Sequence, residues 1–288
     1  MDSIARSSEG CRDFEVVVVD NNCTDDTQAL ASAHSLAPRL VREPQQGLSH
    51  ARNRGVAAAV FSHLLFLDDD ALVPMCYLVH LKTVLEREAP DLFGGPVLPL
   101  FEQSPPDWFP PDLETRRYAD VAGFSDSASL SGGNFGIRRE VLRRLGPFDT
   151  NLGMNGATLA FGEDREMVER YRRLTPPTQQ RLYYDPALAI SHRVGAAKLD
   201  KSYQLRRSFE TARSREQIFI GAGVRSVARS RVLAAGRLGL APLTCAATAL
   251  HGGFSARARF LALSQAWGFF GRFAGSFSAR PRHGGGPA

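Results

Sequence analysis

Five residues, His63–Leu67 (HLLFL), run without a break into three aspartates at 68–70, and this junction restricts the fold more than any other part of the chain. A short apolar run is the pattern of a strand buried on both faces. Three adjacent carboxylates cannot follow it into a core, so the strand must deliver them to solvent at its carboxyl end. That end is where open α/β sheets bind ligands. Phe14–Val19 (FEVVVV) repeats the arrangement and stops at Asp20. Thr24, Asp25 and Asp26 then supply caps and a negative first turn to a helix running through Ala29 to Leu36. Pro38–Arg42 reads as a second short strand and Ser49–Val60 as an Ala-rich helix. Pro74 suits the first turn of a helix ending near Arg87. Short apolar strands alternating with helices predict an α/β fold with a mostly parallel sheet and flanking helices.

The alternation fails from Phe101 to Asp126, a proline-rich stretch holding the aromatic pair Trp108 and Phe109. A loop this long is either a binding segment or a solvated insertion. Beyond Gly132 the pattern predicts a strand at Asn134–Ile137, helices at Arg139–Leu145 and Asp164–Arg173, and a strand from Arg181 to Ile190 before His192. After Lys201 the chain reads as helices, with a disordered end in RPRHGGGPA.

At 288 residues the chain has room for one large α/β domain plus an appendage. With 43% apolar and 23% charged residues it is neither collagen-like, disordered nor a disulfide scaffold. The net charge of +5 hides a split. Residues 221–288 hold nine Arg and no Lys, Asp or Glu, whereas residues 1–220 hold 26 basic against 30 acidic side chains. These two parts, 1–220 and 221–288, are the expected domain and its basic helical tail. Cys11, Cys23, Cys76 and Cys245 have no zinc-finger or disulfide spacing, which suits a reducing cytoplasm. The first residues lack a signal-peptide pattern. The uncharged run Leu238–Ala256 contains Pro242 and three Gly and reads as interfacial at most.

Several residues invite chemistry. Asp68, Asp69 and Asp70 repel one another, and a hard divalent cation, Mg²⁺ or Mn²⁺, shared with a diphosphate would relieve that; the plain alternative is a solvated helix cap. Asp164, after Gly162 and Glu163, suits an N-cap or a general base. His192 is either structural or, beside an acidic site, a ligand. Gly132, Gly133 and Asn134 permit close backbone approach to a ligand, or form a simple turn.

The order of these pieces is more specific than any one of them. VVVVDNNCTDDT at 16–27, GLSHARNRG at 47–55, LLFLDDDA at 64–71, SGGNFGIRREVLRRLGPFD at 131–149, GEDREM at 162–167 and SHRV at 191–194 resemble, in sequence and spacing, the family 2 glycosyltransferases of GT-A fold. The resemblance covers roughly residues 10–220. It implies that Asp20, with Asn22, Arg52, Asp68 and Asp69, binds a nucleotide-sugar donor. Asp68 and Asp70, with His192, would hold a divalent cation. Asp164 would take the proton of the acceptor hydroxyl, while Gly132, Gly133, Asn134 and Glu163 line the sugar and acceptor. The implied reaction is an inverting, single-displacement transfer, and the absence of a Q-x-x-R-W pattern favours one sugar over a polymer. Family members open with an apolar strand that has no counterpart before Met1 here, which implies an N-terminally truncated sheet. A catalytically inactive remnant and a sugar nucleotidyltransferase are the rival readings, the second lacking a Gly-rich phosphate loop.

In the tail, Phe260, Leu263, Trp267, Phe270 and Ala274 fall on one helical stripe, with Arg257, Arg259 and Arg272 near its ends. The expectation is an amphipathic helix in a membrane interface, drawn to anionic lipid, rather than one packed against the catalytic domain. Nucleic acid is not expected, because no recognition motif accompanies the charge. The expected setting is cytoplasmic and peripheral, at the inner face of the plasma membrane, with a glycan or lipid-linked acceptor.

Overall fold

The computed structural model describes residues 1–156, 159–221, 226–251 and 255–278. The elements in chain order are α1 (Asp2–Ser7), β1 (Val17–Asp20), α2 (Thr27–Ala33), β2 (Arg39–Arg42), α3 (Leu48–Ala58), β3 (His63–Leu67) and β4 (Ala71–Leu72). There follow α4 (Tyr77–Glu88), β5 (Leu92–Gly94), β6 (Val97–Phe101), β7 (Gly123–Phe124), β8 (Asn134–Arg138), α5 (Arg139–Leu145) and α6 (Glu163–Leu174). The chain continues through β9 (Leu182–Tyr184), β10 (Ile190–Val194), α7 (Lys201–Gly221), α8 (Val227–His251) and α9 (Ala256–Ser278).

They form two compact units. The first comprises Met1–Leu100, Glu114–Ala157 and Glu163–Arg193. The second takes Phe101–Leu113, Thr158–Gly162 and the described residues from Val194 onward. Helix α7 falls in the second unit, where it packs along α9.

The α/β architecture expected from the alternation is present, and its sheets are mixed rather than mostly parallel. Strands β1 and β2 form a parallel pair, Val17 opposite Arg39 and Asp20 opposite Arg42. A five-stranded sheet runs in the order β3-β8-β5-β9-β7. Within it β5 and β9 are parallel, but β8 lies antiparallel between β3 and β5, and β7 is antiparallel to β9. A three-stranded sheet has the order β4-β10-β6. Strand β8 enters from the long loop, with no crossover helix to impose a parallel direction.

Alternation along the strands fills both faces of the central sheet. Leu64, Leu92, Phe135 and Ile137 meet Val141, Leu142 and Leu145 of α5 and Met167, Val168 and Tyr171 of α6. On the other face Phe93 packs with Val73, Leu188, Ile190 and Tyr77 and Leu81 of α4, joined by Leu65 and Leu67 of β3. Each such side chain, fully buried, stabilises the fold by about 1.5–3 kcal/mol.

In the second unit, Phe109 is almost wholly buried with Val194 and Leu199. Trp108 lies 5.5 Å from the Phe109 ring and 4.6 Å from Phe260 of α9. The aromatic pair of the long loop is therefore core, not a free lid. Of the uncharged run, α8 takes the described part up to His251. The final RPRHGGGPA falls outside the described residues. No described helix is long and apolar enough to cross a membrane.

Candidate active site

The pairing of β3 with β8 builds the site. Leu67 lies opposite Asn134 and His63 opposite Arg138, so the Gly132-Gly133 bend ahead of β8 stands beside Asp68 just after β3. A Cβ on Gly133 would come within 2.6 Å of Asp68 Oδ2, and one on Gly132 within 2.4 Å of the Arg52 guanidinium. Only glycines allow both side chains to lie against this bend.

The second acid arrives through β4 and β10. His192 pairs with Ala71 and Ser191 with Leu72, and the Arg193 amide donates to the Asp70 carbonyl at 3.1 Å. His192 Nε2 consequently sits 3.2 Å from Asp70 Oδ1. One ligand atom each from Asp68, Asp70 and His192 lie within 4.8 Å of one another. Two carboxylate oxygens and an imidazole nitrogen are a donor set that could hold a divalent cation, the imidazole suiting Mn²⁺ better than the all-oxygen preference of Mg²⁺. Burial pushes the Asp68 carboxyl upward, and Asp70 adds to this while Arg52 opposes it. A carboxylate held in such a field gains from a nearby cation. Asp69 is exposed and is not part of the cluster.

Arg52 of α3 is the hub between this cluster and α6. Its side chain is 7% exposed, with Nη1 2.5 Å from Glu163 Oε1 and Nη2 3.9 Å from Asp68 Oδ1. The guanidinium carbon lies 5.5 Å from the centre of the Phe148 ring and 5.9 Å from that of Phe66. Desolvation works against its charge, but Glu163, Asp68 and Asp164 outweigh that and hold it more firmly protonated. The helix itself is fixed to the 148–153 segment: Asn53 exchanges hydrogen bonds with the Phe148 backbone at 2.9 Å in both directions, and Ser49 donates to the Leu152 carbonyl at 2.7 Å.

Asp164 stands in the first turn of α6. Its Oδ2 accepts the Gly132 amide at 2.7 Å and its Oδ1 the Arg165 amide at 2.6 Å. Burial first, then the charge of Glu163, push its carboxyl up to about 6, against the pull of Arg52 and the two amides. Asp164 thus sits inside the first turn of α6 and ties that turn to the Gly132 bend, and a carboxyl raised toward neutrality is of the kind that can exchange a proton there.

Asp20, nearly buried at the end of β1, accepts the Cys23 amide at 2.8 Å and the Gln28 amide group at 2.5 Å, and these hydrogen bonds hold its carboxyl low. Asn22 is exposed in a left-handed turn (φ 62°) and donates to the Pro44 carbonyl at 2.9 Å. Its neighbour Asn21 closes the same corner, donating to the Glu43 and Gln45 carbonyls and accepting the Gly47 amide.

Asn134 departs from its expected place on the sugar side. It is fully buried; its Oδ1 accepts the Tyr77 hydroxyl at 2.5 Å and its amide donates to the Leu188 carbonyl at 2.7 Å. It ties α4 to β8 beneath the bend. Glu163 is likewise 8% exposed and turned to Arg52. Tyr118 was not singled out by the sequence, yet burial and the neighbouring Asp164 carboxylate both raise its hydroxyl. It lies in the long proline-rich stretch, where only the Trp-Phe pair stands out by composition.

Residues 1–146, half of the chain, match the profile of glycosyl transferase family 2. The chain belongs to that family. Among curated relatives, a PGL/p-HBAD biosynthesis glycosyltransferase of Mycobacterium bovis (strain BCG / Pasteur 1173P2) is 41% identical over 104 residues, covering 34% of this chain and 40% of its own length. A glucosyl-dolichyl phosphate glucuronosyltransferase of Haloferax volcanii is 23% identical over 173 residues, covering 58% of this chain and 54% of its own length. The family 2 chain thus spans roughly half or less of these two relatives. Among solved structures, S. aureus TarS 1-349 in complex with UDP-GlcNAc superposes with a TM-score of 0.52 at 17% identity, over 81% of this chain and 65% of that one. The fold of this family 2 member is accordingly of GT-A type.

Proposed function

We propose that the chain transfers one sugar from a nucleotide-diphosphate donor, with inversion, to a hydroxyl of a lipid-linked or surface glycan. The observation that carries this reading is the Gly132-Gly133 bend, which touches both the carboxylate at the head of the cation cluster and, through Arg52 and the Gly132 amide, the elevated carboxyl of Asp164. A solved structural neighbour is described with UDP-GlcNAc bound, which supports the donor class.

In this mechanism Asp20, buried at the end of β1, orients the donor base, with Asn22 at the same corner. Asp68, Asp70 and His192 would hold a divalent cation, which when bound offsets charge developing on the departing diphosphate. Asp164 accepts the acceptor proton as the hydroxyl oxygen forms the new glycosidic bond; the bond to the diphosphate breaks on the opposite face. No covalent sugar-enzyme species is required. Gly132 and Gly133 let Arg52 and Asp68 lie against the bend that borders the sugar, and Arg52 and Glu163 keep the two halves of the site in register. Work on a lipid-linked acceptor sets the reaction at an anionic membrane face, on its cytoplasmic side.

Calorimetric titration of UDP, GDP and dTDP with and without Mn²⁺ tests the reading. Binding of one nucleotide should require the cation, and Asp70→Ala should remove that requirement together with turnover. Equal affinity for all three nucleotides in EDTA would refute it.

A further inference from the structure

Helix α9 is packed on two sides and bare on a third. Its Gly271 and Gly275 lie so close to α7 that an added Cβ would meet the Phe209 carbonyl at 2.1 Å and the Arg213 carbonyl at 2.6 Å. Ser264 and Ser208 share a hydrogen bond of 2.7 Å across the same contact. Another side of α9 packs along α8. What remains outward is Leu263, Trp267, Phe270 and Phe277, which are 54%, 45%, 55% and 54% exposed. At 100° per residue these four fall within one narrow arc of the helix.

This stripe differs from the expected one at both ends. Phe260 is 2% exposed and leaves it for the Trp108 contact, while Phe277 extends it at the other end. Arginines bracket it. Arg259 is exposed one turn ahead of Leu263. Arg231 of α8 places its guanidinium 4.4 Å from the centre of the Phe277 ring. No acidic side chain occurs anywhere in residues 221–288 to balance these charges.

We propose that the Leu263–Trp267–Phe270–Phe277 face of α9 is a docking surface for anionic lipid. A water-soluble partner could cover four large apolar side chains, but it would have to bring its own acidic rim. A membrane with anionic headgroups meets both demands, accepting Trp and Phe at the level of the acyl boundary while its phosphates face the arginines. The helix lies along the surface instead of crossing it, since its other sides are occupied by α7 and α8. The inference deepens the membrane setting of the proposed transferase, and its test fails separately from that reading, because vesicle binding is measured without turnover.

Flotation of the full chain with vesicles of phosphatidylcholine alone, and of phosphatidylcholine mixed with phosphatidylglycerol, tests the proposal. The chain should float with the mixed vesicles and much less with the neutral ones. Raising salt from about 0.1 M to about 1 M should weaken the partition, as the screening length falls from about 10 Å to about 3 Å. Arg231→Gln with Arg259→Gln should cost about fivefold in partition for each arginine, the equivalent of about 1 kcal/mol per charge. Leu263→Ser with Phe270→Ser should lower binding to both vesicle types, and far-UV circular dichroism should show the helices unchanged. Binding equal on neutral and anionic vesicles would overturn the proposal. So would an absence of flotation, whether the chain sediments as a monomer or as a dimer dispersed by Phe270→Ser, the latter assigning the face to a second copy.

Discussion

Arg52 is buried with a carboxylate on either side, and its worth lies in what it prevents. Without it, Glu163 would be an unpaired buried anion close to Asp164 and Asp68. Removing one member of such a pair costs about 3–5 kcal/mol, so Arg52→Gln and Glu163→Gln should each lower the denaturation midpoint strongly. The double substitution should cost less than the sum, with a coupling of about 1–3 kcal/mol in a chemical-denaturation cycle. Asp164 behaves in the opposite sense. Its carboxyl is raised to about 6, so the folded state holds that proton more tightly than the unfolded chain does. Its contribution to stability is complete below the unfolded value near 3.8 and is lost as pH rises through 6. Asp164→Asn should therefore flatten the fall in melting temperature that the unaltered protein shows as pH rises from 4 through 6, while losing one of the two amide acceptors at every pH. The same change should lower transfer by about 10²- to 10⁴-fold while leaving nucleotide affinity nearly intact. In the unaltered protein, transfer should climb through pH 6 as the base ionises. The convergence of Asp68, Asp70 and His192 was legible because the acidic triplet ends an apolar strand and the motif order pairs it with His192. The inward turn of Asn134 was not, since its partners Tyr77 and Leu188 are remote in sequence and the same residue suits an exposed bend.

Among the elements, α4 ends in a way that local chemistry disfavours. Ala89 takes the left-handed C-cap conformation, φ 42° and ψ 55°, which costs an L-residue with a Cβ about 1–2 kcal/mol. Ala89 is exposed, so glycine meets no packing loss there. Ala89→Gly should stabilise the protein by about 1 kcal/mol, less the entropy glycine retains when unfolded, read as a shift in urea midpoint at constant slope. Strand β3 and helix α5 are where the pattern predicts them, residue for residue, because each has one apolar period and a clear stop. Strands β5 and β9 escaped such reading or were displaced. Leu92–Gly94 is three residues long and wholly buried, too short for any period to declare itself. The stretch read as one strand from Arg181 is broken by Asp185 and Pro186 into β9 and β10. Pairing direction is not encoded locally at all, which is why an antiparallel β8 in the middle of the sheet had no signature in its own five residues.

At the scale of the whole molecule, the charge division visible in the sequence does not coincide with the division into compact units. Helix α7 carries both signs of charge, yet it belongs with the purely basic stretch because the glycines of α9 fit against it. Composition sees charge and cannot see shape. The placement of β8 also sets a timetable for folding. On a ribosome, β1 and β2 can pair as soon as Arg42 has emerged, but β3 and β5 have no common neighbour until residues 134–138 are made, and β5 waits still longer for β9. Long-range pairings close slowly and late. Pulse-labelled amide exchange during refolding should therefore show β3 and β8 gaining protection together, after the β1–β2 pair. The last strand of the first unit to be synthesised, β10, is also the one that brings His192 to Asp70, so the three-residue cluster is complete only when nearly all of that unit has been synthesised and has found its register.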